Sequence, residues 1–244
     1  HPAILAMFIE SSSTAVAMCF AGAALLVIGI WAARKDIAQA RGLDKIVALA
    51  NLCYAAPLAV FGALHLFGPD FVKDLVPPYM PGRMFWVYFV GCALIAASLS
   101  IATKIQVRWS GLLVGIMMFL FVAMLYLPAG LRNMHARIIW TIVFRESSFG
   151  GAAWILAAMA KDGWRGKANH GPERAGFSRT EEVNCTLIIV GRIMIMPALI
   201  FFGIQHFLHP MGLPGVPLQR QLPPLIPGQV LIDYVTGAGL LLPQ

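Results

Sequence analysis

Residues 61–69 read FGALHLFGP and residues 202–210 read FGIQHFLHP. Phe61, Gly62, His65 and Pro69 recur as Phe202, Gly203, His206 and Pro210 at a constant offset of 141. Downstream, PPYMPGRMFWVYFVG at 77–91 returns as PPLIPGQVLIDYVTG at 223–237. Pro77, Pro78, Pro81, Gly82, Tyr88 and Gly91 there match Pro223, Pro224, Pro227, Gly228, Tyr234 and Gly237 at an offset of 146, so five inserted residues separate the copies. Chance does not produce such a match. Each block joins the end of an apolar helix to a proline-rich turn and to the start of another apolar helix, and the chain reads as a duplicated membrane unit.

The rest of the sequence agrees. Hydrophobic residues make up 59% of the 244, charged ones 12%, and the mean hydropathy is +0.77, which excludes an ordinary soluble domain. Runs long enough to cross a hydrocarbon core of about 30 Å lie at 13–33, 47–67, 84–103, 107–128, 138–160, 185–208 and, more briefly, 228–242. The expected fold is all-α: a polytopic transmembrane bundle of about seven spans, made of two parallel repeats plus a leading helix. Residues 1–45 form that helix and its loop, 46–160 the first four-helix unit, 161–183 a polar glycine-rich linker, and 184–244 the first two helices of the second unit. An even number of spans between equivalent positions makes the copies parallel. His1 in place of a methionine, and a second copy that shows only two helices, suggest a piece of a longer chain.

Basic residues set the expected orientation. Eleven lie in the connections after the first, third and fifth runs (Arg34, Lys35, Arg41, Lys45, Lys104, Arg108, Lys161, Arg165, Lys167, Arg174 and Arg179), against five on the other side (Lys73, Arg83, Arg132, Arg137 and Arg220). The positive-inside rule turns both histidine/proline loops outward and the 161–183 linker to the cytoplasm, in an inner (cytoplasmic) membrane. The formal charge of +7 then calls for anionic lipid, with no nucleic-acid partner. Cys19, Cys53, Cys92 and Cys185 are scattered singly and read as packing residues, not a disulfide framework. Pro81-Gly82 and Pro227-Gly228 read as helix starts, Pro57 and Pro197 as prolines inside spans, and Ser178 with Glu181 as a capping box.

These residues resemble a known family. The order G-x-x-H at a helix end, a proline-rich loop, P-G, then a helix containing Tyr88 and Gly91 or Tyr234 and Gly237 is similar to the DoxX-like four-helix membrane proteins. So is the stretch with Trp140, Phe144, Arg145, Glu146, Gly150 and Gly151. The resemblance covers 46–160 well and 185–242 in part. It implies a membrane subunit linked to a quinone-dependent oxidoreductase or another redox assembly, with a quinone as the possible cofactor and other membrane subunits as partners. Members of that family often carry a glutamate shortly after the position of Gly91 or Gly237. Here those stretches read GCALIAAS and GAGLLLPQ, so no role is carried over for it.

Ionisable groups inside spans are costly and mark candidate sites. His65, His206, Arg145, Glu146, Asp233, Tyr88 and Tyr234 form the expected polar pocket beneath the proline loops, fitted to a quinone head group or a small anion with proton relay through histidine and carboxylate. The competing reading makes the duplicated histidines anchors of the proline loops. No metal is expected: His65 and His206, even with His135 and His209, form no ligand motif. Phosphate-loop, dinucleotide and hydrolase motifs are missing from the sequence, so nothing in it supports autonomous nucleotide-driven or hydrolytic chemistry. A non-catalytic structural subunit and a small-solute transporter are the alternatives.

Overall fold

The computed structural model describes residues 2–39, 41–42, 45, 49–160, 179–210 and 228–242. Among these, every regular element is helical. In chain order they are α1 (Pro2–Gln39), α2 (Ala50–Phe67), a short α3 (Pro69–Lys73), α4 (Arg83–Thr103), α5 (Val107–Phe121), a π-helical turn at Val122–Tyr126, α6 (Leu127–Arg132), α7 (Arg137–Met159), α8 (Arg179–Leu208) and α9 (Gln229–Leu241). Most of the 161–183 linker, Ser178 of the capping box, Arg220, Pro223, Pro224 and Pro227 lie outside the described residues.

Among the described residues, five segments are long and apolar enough to cross a membrane: Ser13–Gln39, Ala50–Phe67, Arg83–Thr103, Val107–Arg132 and Glu181–Leu208. This is the make-up of a membrane protein. Two of the seven expected runs, those of α7 and α9, are not among these five. α7 has 23 residues, about 34 Å at 1.5 Å per residue, but Arg145, Glu146 and the serines and glycines after them lower its apolarity. α9 has 13 residues, about 20 Å, and is too short.

The chain packs as two compact units, His1–Val114 with Met159–Gly176, and Gly115–Ala158 with Phe177–Gln244. In the first, α1, α2 and α4 pack on one another around Leu25, Leu52, Leu58, Val87, Leu94 and Ile101. Glycine permits the closest approaches. A Cβ on Gly62 would stand 3.1 Å from the Gly91 carbonyl, and one on Gly91 would stand 2.9 Å from the His65 Cβ. Lys104 Nζ meets Asp36 at 2.5 Å, tying the far ends of α1 and α4 through an exposed ion pair.

In the second unit, α7 lies between two antiparallel partners. On one side Gly151 meets Gly191 of α8, where an added Cβ on either would fall 2.6 Å from the other's carbonyl oxygen. The same seam continues through Phe144 and Phe201, with ring centroids 4.7 Å apart, to Arg137 and His209 at 2.7 Å. On its other side, Trp154 lies over Gly115 and against Phe119, and Trp140 packs on Gly130 of α6. α9 packs on α8 by the same device seen in the first unit: a Cβ added to Gly203 would stand 3.2 Å from the Gly237 carbonyl, and one on Gly237 would stand 3.0 Å from the His206 Cβ.

The helix starts refine the sequence reading. Gly82, at φ 65°, caps α4, and Gly228, at φ 75°, caps α9. Both adopt the left-handed conformation that glycine accepts without a Cβ clash. Pro81 therefore precedes the helix instead of opening it, and the glycine makes the turn. Pro57 and Pro197 both lie inside continuous helices.

Candidate functional site

Arg145 and Glu146 are adjacent on α7, and neighbours on a helix diverge by roughly 100°. Their side chains nevertheless meet: Arg145 Nη2 and Nε both donate to Glu146 Oε1, at 2.5 Å and 3.1 Å. Both long side chains fold toward each other along the helix surface. Only 24% of the Arg145 side chain and 12% of the Glu146 side chain are exposed.

The spacing of α7 decides what they meet. Val143, Glu146 and Gly150 recur at three and four residues, so Glu146 belongs to the side that faces α5 and its continuation. Opposite it the chain leaves α-geometry at Val122–Tyr126, where the Leu127 N–H donates to the Val122 carbonyl five residues back. Such π-turns widen the helix and recur at functional sites. The half-buried Tyr126 closes this turn, and its phenol interacts electrostatically with both Glu146 and Arg145. A guanidinium, a carboxylate and a phenol thus lie in one half-buried region of a largely apolar helical layer.

His206 and Asp233 form a second polar group. The His206 Nδ1–H donates to Asp233 Oδ1 at 3.0 Å across the α8–α9 contact, with 33% and 21% of the side chains exposed. Nearby, Tyr234 stacks on Phe207 at 5.6 Å. At the end of α8, Arg137 Nη1 donates to His209 Nε2, which requires a neutral imidazole there.

His65 behaves differently from its counterpart. Its Nδ1–H donates to the Phe61 carbonyl at 2.7 Å, one turn back on its own helix. Tyr88 is 43% exposed and Tyr234 39%, so both phenols stand on open flanks. His135 is exposed in the α6–α7 connection. Of the seven residues expected in one pocket, Arg145 joins Glu146, and His206 joins Asp233. His65 and Tyr88 belong to the first unit. Among the described residues no group of three or more His, Cys, Asp or Glu could hold a metal.

Two residues escaped the sequence reading. Tyr126 stands outside the repeated blocks in an apolar run, and only the antiparallel register of α7 brings it to Glu146. Gln205 continues the α8 stripe of Gly191, Met194, Ala198 and Phe201, and its Oε1 is buried with no hydrogen-bond donor among the described residues. A signal for Gln205 did exist, since the matching position in the first block is Leu64. No family model matches this chain, nor does any curated protein or solved structure, so the DoxX-like resemblance stands on the motifs quoted above.

Proposed function

We propose that this chain is an integral subunit of a quinone-linked redox assembly in a cytoplasmic membrane, built from two parallel repeats of one helical unit and incomplete as an enzyme on its own. The observation that carries this reading is the Arg145–Glu146–Tyr126 group. Charged groups at membrane depth cost several kcal/mol unless paired, and packing alone calls for none of the three. A quinone head group presents two carbonyl oxygens on a flat apolar ring. It suits a place that offers a guanidinium and a phenol as donors, a carboxylate for the proton, and aromatic neighbours such as Phe144 and Trp140.

The test is turnover of the intact complex, purified through this chain, with a short-tailed quinone, beside thermal stability of the same preparation. Glu146→Gln keeps most of the hydrogen bonding and removes the titratable proton. Turnover is expected to fall by about a hundredfold or more, with the melting temperature little changed. Unchanged turnover in a stable variant would remove the proton relay and leave a non-catalytic structural subunit as the better account. That second reading draws on the open flanks of the spans, such as Phe20, Val27 and Trp31 at 71%, 68% and 64% exposed, which suit lipid or neighbouring membrane subunits equally.

The proposed orientation places the α2–α4 connection outside. In a version with Cys19, Cys53, Cys92 and Cys185 replaced by serine, Asp70→Cys is expected to react with a membrane-impermeant thiol reagent in intact cells, because Asp70 is exposed. Labelling only after the membrane is opened would reverse the topology.

A further inference from the structure

The two histidine-bearing helix pairs share one backbone plan. Gly62 approaches Gly91 as Gly203 approaches Gly237, and a left-handed glycine starts the second helix of each pair. One polar contact of the second pair has no equivalent in the first. The position that matches Asp233 in the first block is Val87, which is 1% exposed in the core. The first pair thus reaches the same close packing with a valine where the second has a carboxylate. Packing does not require Asp233, and a carboxylate among apolar helices is unfavourable without a compensating role.

Its geometry supplies the role. Asp233 accepts the Nδ1–H of His206, and a neutral imidazole held this way carries its lone pair on Nε2. The carboxylate also stabilises the ring once Nε2 has taken a proton, which is the task of an orienting carboxylate beside a general base. His65 directs Nδ1 at its own helix. Among the described residues, the other charged or titratable side chains on elements packed around the end of α8 are Tyr234 on α9, and on α7 Arg137, held by His209, with the Arg145–Glu146 pair two turns further in.

We propose that, of the two duplicated histidines, only His206 exchanges protons, through Nε2 and in addition to the Glu146 carboxylate, with Asp233 as its positioning residue and His65 as an architectural counterpart. The inference rests on the quinone reading for its substrate, a hydroquinone or another ligand with an acidic hydroxyl. In the step, the ligand O–H bond breaks and an Nε2–H bond forms, leaving the ligand anion and an imidazolium beside the Asp233 carboxylate. No electron moves in that step.

The experiment uses the native complex with a short-tailed hydroquinone and the variants Asp233→Val, Asp233→Glu and His65→Gln. Asp233→Val copies the first half, so it is expected to melt like the parent, to lose turnover by about a hundredfold or more with KM little changed, and to flatten the acid side of the pH profile. Asp233→Glu should recover part of the rate, and His65→Gln should stay within about twofold. Full turnover in Asp233→Val, or a loss confined to His65→Gln, would overturn the assignment. A separate readout covers a complex that does not oxidise hydroquinone at all, the outcome that sinks the quinone reading. With ¹⁵N-labelled histidine, the His206 signal should show a single Nδ1–H tautomer in the parent and a mixture in Asp233→Val. Identical spectra would overturn the positioning role whatever the substrate.

Discussion

Gly191→Val is expected to prevent stable folding of the second packing unit, and Gly151→Val to do the same. A Cβ on either residue would stand 2.6 Å from the carbonyl oxygen of the other, well inside van der Waals contact. Where a new methyl meets a flexible side chain, the neighbour turns away and the cost is modest. Here the obstacle is backbone, so the helices must separate. Separation also removes contacts along the same seam, from Phe144 on Phe201 to Arg137 on His209. Ordinary overpacking costs about 1–3 kcal/mol; with the seam lost as well, a cost of at least about 3 kcal/mol is expected, a large fraction of typical protein stability. Gly239→Ala is the internal control. Nothing lies within 4 Å of its added Cβ, and alanine favours helix, so it should melt at or slightly above the parent temperature. Thermal unfolding in detergent decides the matter, and a Gly191→Ala variant that melts with the parent would show that the two backbones do not meet this closely.

The same seam shows where the sequence was legible. Helix ends near the repeated blocks were readable because glycine and proline act locally. The run at 47–67 ends where α2 ends, and the run at 84–103 starts one residue after α4 does. The first helix was harder: hydropathy stops at 33, whereas α1 continues through Lys35, Asp36 and Gln39. Those residues extend a helix readily but sit beyond the apolar stretch, and hydropathy detects solvent preference, not backbone conformation. Likewise the run at 107–128, read by hydropathy alone, gave no hint of the π-turn at Val122–Tyr126.

Partnerships across helices were less accessible. His206 and Asp233 are 27 residues apart, and both were singled out for being ionisable in apolar helices, yet their contact needs the register that Gly203 and Gly237 impose. Comparing the copies position by position would have isolated Asp233, because Val87 and Asp233 differ where the flanking glycines and tyrosines agree. No comparison within the sequence would have found Tyr126. It joins Glu146 only because α7 folds back on the preceding helix, with Trp154 lodged over Gly115 and Trp140 over Gly130.

The pair on α7 permits the second large effect to be stated with its sign. Arg145→Leu is expected to destabilise the protein by about 3–5 kcal/mol, because it leaves the Glu146 carboxylate, 12% exposed, without its guanidinium. The double variant Arg145→Leu with Glu146→Leu should recover most of that loss, since two apolar side chains of fitting volume replace a desolvated ion pair at little or no net cost. Thermal unfolding of both variants measures the difference. If Arg145→Leu alone melts like the parent, the carboxylate has another compensating group and the pairing is not what holds it. The double variant then separates stability from chemistry. A fold that has recovered its melting temperature but no longer turns over quinone would place the pair in the reaction. Recovery of both would make it a device of assembly, retained for the way Arg145, Glu146 and Tyr126 register α7 against the π-turn.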